Sequence, residues 1–189
     1  FQSDMLMTVE HSVERMKQLM MQLREGTAPI ETGHRVDLES VIRRIERTKA
    51  GQAPALEVEI AEPVAAQGHE DRLERVIGHL VQNGIDATGG RGRVWIKLAR
   101  QDDQALIEIG DTGHGMTADF VRERLFKPFQ TTKQAGMGIG AYESYQYVHE
   151  LGGRVLVDTS PGAGTRMRLL LPLFKTGANA EPGSQRDVA

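Results

Sequence analysis

Four short stretches carry side chains and backbone suited to chemistry at a phosphate. In chain order they are Asn83-Gly84-Ile85-Asp86-Ala87, Asp111-Thr112-Gly113-His114-Gly115, Leu125-Phe126-Lys127-Pro128-Phe129 and Gly136-Met137-Gly138-Ile139-Gly140. Asn83 offers a neutral amide oxygen. Mg²⁺ prefers oxygen and usually takes few ligands from protein, because substrate phosphates and water complete its octahedron. One amide on a helix beside a polyphosphate meets that need. In isolation a helix-surface or capping Asn is the better reading of Asn83; Asp86 and Ala87 beside it and the three later stretches reverse the balance. Together the four describe a pocket for a Mg-nucleotide.

Asp111 ends a strand at a turn with two glycines, Gly113 and Gly115. A carboxylate there can accept a hydrogen bond from an exocyclic amine such as that of adenine, while the glycines let the base approach the backbone. Such a fixed acceptor discriminates against guanine, whose corresponding edge carries an oxygen. An ordinary Asx-turn is the plain alternative. Thr165, after Gly162-Ala163-Gly164, could reach the same base directly or through water; strand propensity alone also accounts for it. Gly136, Gly138 and Gly140, with Met137 and Ile139 between them, lead into a helix whose first N–H groups and dipole form an anion site. Phe126 and Phe129 could anchor a mobile cover, with Thr131, Thr132 and Lys133 closing over phosphates. Core packing is as good a reading of the two Phe, and Lys133 also fits a solvated position.

The elements that must position these groups are legible in outline. Residues 4–26 carry Met5, Val9, Val13, Met16, Met20 and Leu23 on one stripe, which predicts an amphipathic helix needing a partner surface. Asp37-Leu38-Glu39-Ser40 opens a second helix, through about Lys49. Leu56, Val58 and Ile60 alternate with Glu57 and Glu59 as a half-buried strand does. A third helix is expected over 70–88, broken by Gly89-Gly90. Strands at 93–100 and 104–110 come next, joined by a tight turn at Gln101-Asp102-Asp103. Helices near 117–124 and 139–151 precede a hairpin of strands 153–159 and 164–172. Trp95, out of phase with Val94, Ile96 and Leu98, is expected on the other face of the sheet. Arg43, Arg44 and Arg47 read as a solvated helix face. The fold class is α+β: a two-layer α/β sandwich with a mixed, mostly antiparallel sheet, preceded by one long amphipathic helix.

Composition bounds the rest. The chain of 189 residues carries 26% charged residues and a net charge of only -3, so no bulk attraction to nucleic acid is implied. It contains no cysteine, which excludes thiolate catalysis and disulfides. No apolar run approaches the roughly 20 residues of a membrane span. A cytoplasmic fragment without direct membrane contact is expected, from a parent that an inner-membrane anchor elsewhere would suit.

Taken together, the four stretches resemble the N, G1, F and G2 boxes of the ATP-binding fold shared by DNA gyrase, Hsp90 and sensor histidine kinases, over about residues 35–173. Within that superfamily the chain resembles the catalytic domain of bacterial two-component histidine kinases. The run from Leu125 to Lys133 and Gly138-Ile139-Gly140 is similar to the nitrogen-regulator sensor branch. Gly136 to Ser144 is closer to sensor kinases of exosortase (PEP-CTERM) systems. The resemblance implies that Asn83 holds Mg²⁺, that Asp111 binds the adenine amine of ATP, with Met116 among the nucleotide contacts, and that Gly136–Gly140 wraps the phosphates. ATP-hydrolysing members place a Glu one helical turn before the Asn. Here His79 stands there, a candidate catalytic group that suits transfer to a protein acceptor better than attack by water.

The implied domains are 1–28, the second helix of a dimerisation hairpin; 35–174, the ATP-binding domain; and 175–189, a disordered tail. His34 and His69 are expected in loops, His114 in the adenine turn and His149 in a helix. Only His11 sits on a suitable helix, and Ser12-Val13-Glu14-Arg15 after it lacks the acceptor pattern, so the phosphoacceptor is expected outside this chain. Implied partners are a response regulator receiver domain and a second copy of the chain, paired through N-terminal helices. A gyrase- or Hsp90-like ATPase, a Ser/Thr kinase of the anti-sigma type, and a module holding nucleotide only structurally are the alternative functions.

Overall fold

The computed structural model describes residues 34–128 and 139–175. The expected helix over 4–26 with His11, the candidate residues Phe129, Thr131, Thr132, Lys133, Gly136, Met137 and Gly138, and the tail beyond 175 lie outside the described residues. The chain divides into two compact units, residues 1–33 and 34–189, and every described element belongs to the second.

Strand β1 (His34–Asp37) runs directly into helix α1 (Leu38–Thr48). Asp37 caps the helix, accepting from the Glu39 N–H at 3.1 Å and from the Ser40 hydroxyl at 2.8 Å. Leu38, Val41, Ile42 and Ile45 form its buried stripe. After β2 (Leu56–Ile60) and β3 (Ala65–Gly68) comes α2 (Glu70–Thr88), the longest described helix. Its first turn carries Glu70 and Asp71 at the positive end of the dipole, and Gly89 ends it in the left-handed region at φ 59°. Strands β4 (Val94–Gln101) and β5 (Gln104–Asp111) form a hairpin. Short helix α3 (Ala118–Glu123), helix α4 (Gly140–Glu150) and the hairpin of β6 (Arg154–Thr159) and β7 (Thr165–Pro172) complete the domain.

The five-stranded sheet has the order β2-β4-β5-β7-β6. Within it β2 pairs parallel with β4, Leu56 opposite Val94, and the other three pairings are antiparallel. Alternation sets the two faces. Val94, Ile96 and Leu98, then Ala105, Ile107 and Ile109, then Met167, Leu169 and Leu171 turn to one side and bury against Leu38, Ile42, Leu73, Ile77 and Val81 of α1 and α2. A core aliphatic of this kind contributes on the order of 1.5–3 kcal/mol. The result is the expected two-layer α+β architecture.

The structure corrects three readings. Residues 34–37 and 65–68 form a separate two-stranded antiparallel sheet, His34 opposite Gly68 and Asp37 opposite Ala65, so His34 lies in a strand and not a loop. These strands have four residues each, and Ala65-Ala66-Gln67-Gly68 is too short and small to alternate detectably. Arg44 is half-exposed but not unpaired: it meets Glu70 and, at 2.8 Å, Glu74, tying α1 to α2. Strand and helix ends shift by a residue or two, as at Gln101. Trp95 does stand on the face opposite the core, its indole N–H donating to Glu108 at 3.1 Å.

Candidate functional site

The site grows from the contact between the last turns of α2 and the end of β5. Gly84 faces the sheet, and a Cβ placed on it would stand 3.3 Å from the Asp111 Cβ and 3.6 Å from Oδ2. Helix backbone and carboxylate therefore meet with nothing between them, and Asn83 is the adjoining residue on α2. Any bulk at Gly84 would push Asp111 away from the helix. Asn83 is half-buried, and Asp86, one residue short of a turn further on, accepts from Gln82 at 2.9 Å.

Asp111 is 7% exposed, one of two buried polar side chains among the described residues. Burial raises its carboxyl above the ordinary range; the backbone N–H groups of Gly113 and Thr165 and the nearby His114 oppose that shift without cancelling it. The Gly113 bond is 2.8 Å. A buried acceptor that carries these two donors still has lone pairs for a third.

The turn after Asp111 is built by close backbone approach. A Cβ on Gly113 would fall 2.5 Å from the Ala87 carbonyl, and the His114 N–H donates to that same carbonyl at 3.2 Å. Gly115 has φ 65°, and a Cβ there would lie 2.0 Å from the Ser160 carbonyl oxygen, so both conformation and space demand glycine. The His114 Nδ1 lies 2.7 Å from the Gly115 carbonyl, which fixes that nitrogen as the protonated one. Gly162 donates to the His114 carbonyl at 2.7 Å, joining this turn to the β6–β7 hairpin. Thr165 stands opposite Asp111 in the register, on the same face.

A second group lies one turn earlier on α2. His79 is half-buried and four residues before Asn83, hence on the same helix face. Its ring occupies the space over Gly140, the first residue of α4, where a Cβ would come within 2.1 Å of Cε1 and Nε2. Ile139 is buried, and Ser144 donates to the Gly140 carbonyl at 2.7 Å. Phe126 stacks on Tyr145 of α4, ring centroids 4.5 Å apart, and Tyr145 contacts His149 at 4.4 Å.

Of the candidates read from sequence, the structure gathers Asn83, Ala87, Asp111, Gly113, Gly115, Met116 and Thr165 about one end of α2. It gathers His79, Ile139 and Gly140 about the middle of that helix. Asp86 occupies an exposed position, and Phe126 belongs to the α4 contact. Sequence reasoning missed Thr159, which receives the Met116 N–H at 3.0 Å. Its signal was a polar β-branched residue at the last position of a strand whose partner is Thr165. Among the described residues no three His, Cys, Asp or Glu side chains cluster to hold a metal. A divalent ion here would rest on an amide oxygen and on oxygens brought by a ligand, which suits Mg²⁺ and not a thiolate- or imidazole-bound metal.

Known proteins share this fold. Residues 68–175 match the family described as histidine kinase-, DNA gyrase B- and HSP90-like ATPase. The chain is 35% identical over 120 residues to the sensor protein DegM of Bacillus sp. (strain B21-2), covering 64% of this chain and 32% of that protein. It thus spans about a third of that relative's length. The structure of the mycobacterial sensor histidine kinase MprB superposes with a TM-score of 0.66 at 27% identity, covering 75% of this chain and 97% of that one. Full-length ShkA in complex with AMPPNP shares the fold, with a TM-score of 0.71 at 23% identity over 89% of this chain and 37% of that one. The domain is homologous to the catalytic ATPase domains of sensor histidine kinases. With its matched segment running from the end of β3 past the end of β7, the chain belongs to the family of histidine kinase-, DNA gyrase B- and HSP90-like ATPases.

Proposed function

We propose that the domain binds Mg-ATP and, in the intact protein, transfers the γ-phosphoryl group to a histidine on a dimerisation helix. A response-regulator aspartate would then accept it. The observation that carries this reading is the meeting of Gly84 and Asp111, which sets a buried acceptor beside Asn83 on the neighbouring helix. Adenine would place its amine on Asp111, with Thr165 and Met116 at the same end. Asn83 would hold Mg²⁺, and the Gly136–Gly140 turn with the start of α4 would receive the phosphates. Bound Mg²⁺ supplies neutralisation of charge at the β- and γ-phosphate oxygens. The chain's own residues bind and orient: Asp111 fixes the base, and His79 holds the start of α4. Phe129, Thr131, Thr132 and Lys133 would close over the phosphates. An imidazole at His79, where water-activating relatives carry a carboxylate, favours transfer to a protein acceptor.

The finer assignments rest on the motifs. The run from Leu125 to Lys133 supports the nitrogen-regulator branch, and Gly136 to Ser144 supports an exosortase-system sensor kinase. Residues 35–174 would be the ATP-binding domain and 1–28 the second helix of a dimerising hairpin. The domain would work in the cytoplasm, where ATP and the regulator are held, under a parent anchored at the inner membrane.

Calorimetric titration of the chain with ATP in the presence of Mg²⁺ tests the reading. Saturable binding without self-labelling by radiolabelled ATP is expected, because the acceptor histidine is assigned to another helix. Absence of binding overturns the assignment. Steady phosphate release unaffected by His11→Ala would move the activity to the gyrase and HSP90 side of the family.

A further inference from the structure

Three strand ends lie side by side at the base-reading end of the site. Thr159 closes β6 and faces Thr165, the first residue of β7, which in turn faces Asp111 at the end of β5. Directly opposed residues of antiparallel strands hold their Cβ atoms about 5 Å apart, so these side chains act on one another.

A hydroxyl has one hydrogen and two lone pairs. Thr159 donates its hydrogen to the Gly164 carbonyl at 2.8 Å and accepts the Met116 N–H at 3.0 Å. One lone pair remains, and the Thr165 Oγ1 stands 3.0 Å away. Because the Thr159 hydrogen is already committed, the Thr165 hydroxyl must be the donor in that contact. Thr165 is left with lone pairs alone for anything else that approaches. The Asp111 carboxylate beside it, already receiving the Gly113 N–H at 2.8 Å, also only accepts.

We propose that Thr159 is a specificity-positioning residue: by consuming the Thr165 hydroxyl hydrogen it turns this end of the site into a surface of acceptors. Such a surface takes an exocyclic amine, whose two N–H groups can serve Asp111 and Thr165 directly or through water. It rejects a 6-oxo purine, which would set an acceptor against acceptors. The inference rests on the adenine reading and adds a residue that touches no part of the base.

The test compares affinities of the 189-residue chain for ATP and for inosine triphosphate, whose base carries oxygen at that position. Thr159→Val keeps the shape and removes the hydroxyl, so Thr165 regains a hydrogen to donate. The preference for ATP over inosine triphosphate is expected to fall about tenfold. Thr159→Ser, which restores the hydroxyl, is expected to keep it. Equal weakening for both nucleotides, or an unchanged ratio in Thr159→Val, overturns the proposal. Should circular dichroism show Thr159→Val unfolded, Thr165→Val carries the test, and an unchanged ratio there overturns it as well. A wild-type chain that binds neither nucleotide removes the adenine reading itself; a chain that binds ATP with an indifferent Thr159 removes only this role.

Discussion

The imidazole of His79 fills the volume that a side chain at Gly140 would need: a Cβ there would meet Cε1 and Nε2 at 2.1 Å. The middle of α2 and the first residue of α4 are thus fitted to each other, glycine against ring. Gly140→Ala should force the ring out or displace the start of α4. Overpacking of this kind costs about 1–3 kcal/mol. The double variant Gly140→Ala with His79→Ala should recover most of that loss, because the methyl then has room. Urea midpoints for the four proteins of the cycle measure the coupling. Additive losses would mean that the two residues do not constrain one another.

Asp111 sets function against stability. Its carboxyl is raised by burial, so the folded chain binds a proton that the unfolded chain, at the ordinary value of 3.8, has already released. Stability from this group is complete below that value and is lost as pH rises through the raised folded pKa. Asp111→Asn, which has no proton to lose, should remove this decline and be at least as stable as the wild type at neutral pH. It should also weaken ATP binding about 10- to 100-fold, the worth of a hydrogen bond to a charged partner. Urea midpoints across the carboxylate range, beside calorimetry at neutral pH, check both halves. A variant that loses stability and keeps its ATP affinity would reverse the account.

Gly113 tests the seam between the turn and α2. A Cβ there would lie 2.5 Å from both the carbonyl carbon and oxygen of Ala87, which are backbone atoms and cannot rotate away. Gly113→Ala should therefore cost about 1–3 kcal/mol and open the bond between the His114 N–H and the Ala87 carbonyl. Faster amide exchange at His114 is the expected signature. Gly162→Ala is the contrast: no atom lies within 4 Å of its Cβ position, and only its φ of 77° resists the change.

How much could be read before folding depends on the range of the interactions involved. Helices α1 and α2 were legible because Leu38, Val41, Ile42 and Ile45, like Leu73, Ile77 and Val81, repeat at helical spacing and need only a sheet to face. The β4–β5 hairpin was legible because Val94, Ile96 and Leu98 alternate and the turn is short. Strands β1 and β3 were not, since their pairing joins His34 to Gly68 across a helix and a strand with no local pattern. Asn83 and Asp111 could be named from motif alone. That Gly84 lets α2 close onto Asp111, that His79 rests on Gly140, and that the Thr159 hydroxyl meets that of Thr165 all depend on contacts between segments distant in sequence.

Asn83 provides the sharpest separation of roles along α2. If its amide oxygen holds the metal, then Asn83→Ala should leave adenosine binding intact, since Asp111, Thr165 and the Gly113 turn are untouched. It should instead abolish the gain in ATP affinity that added Mg²⁺ brings to the wild type. Loss of one ligand oxygen from a metal that takes few protein ligands should lower Mg-dependent ATP affinity about tenfold or more. Titrating ATP with and without Mg²⁺, beside adenosine, distinguishes this from a folding defect, which would weaken all three. Equal Mg²⁺ dependence in the variant and the wild type would place the metal's protein ligand elsewhere and leave Asn83 a structural residue.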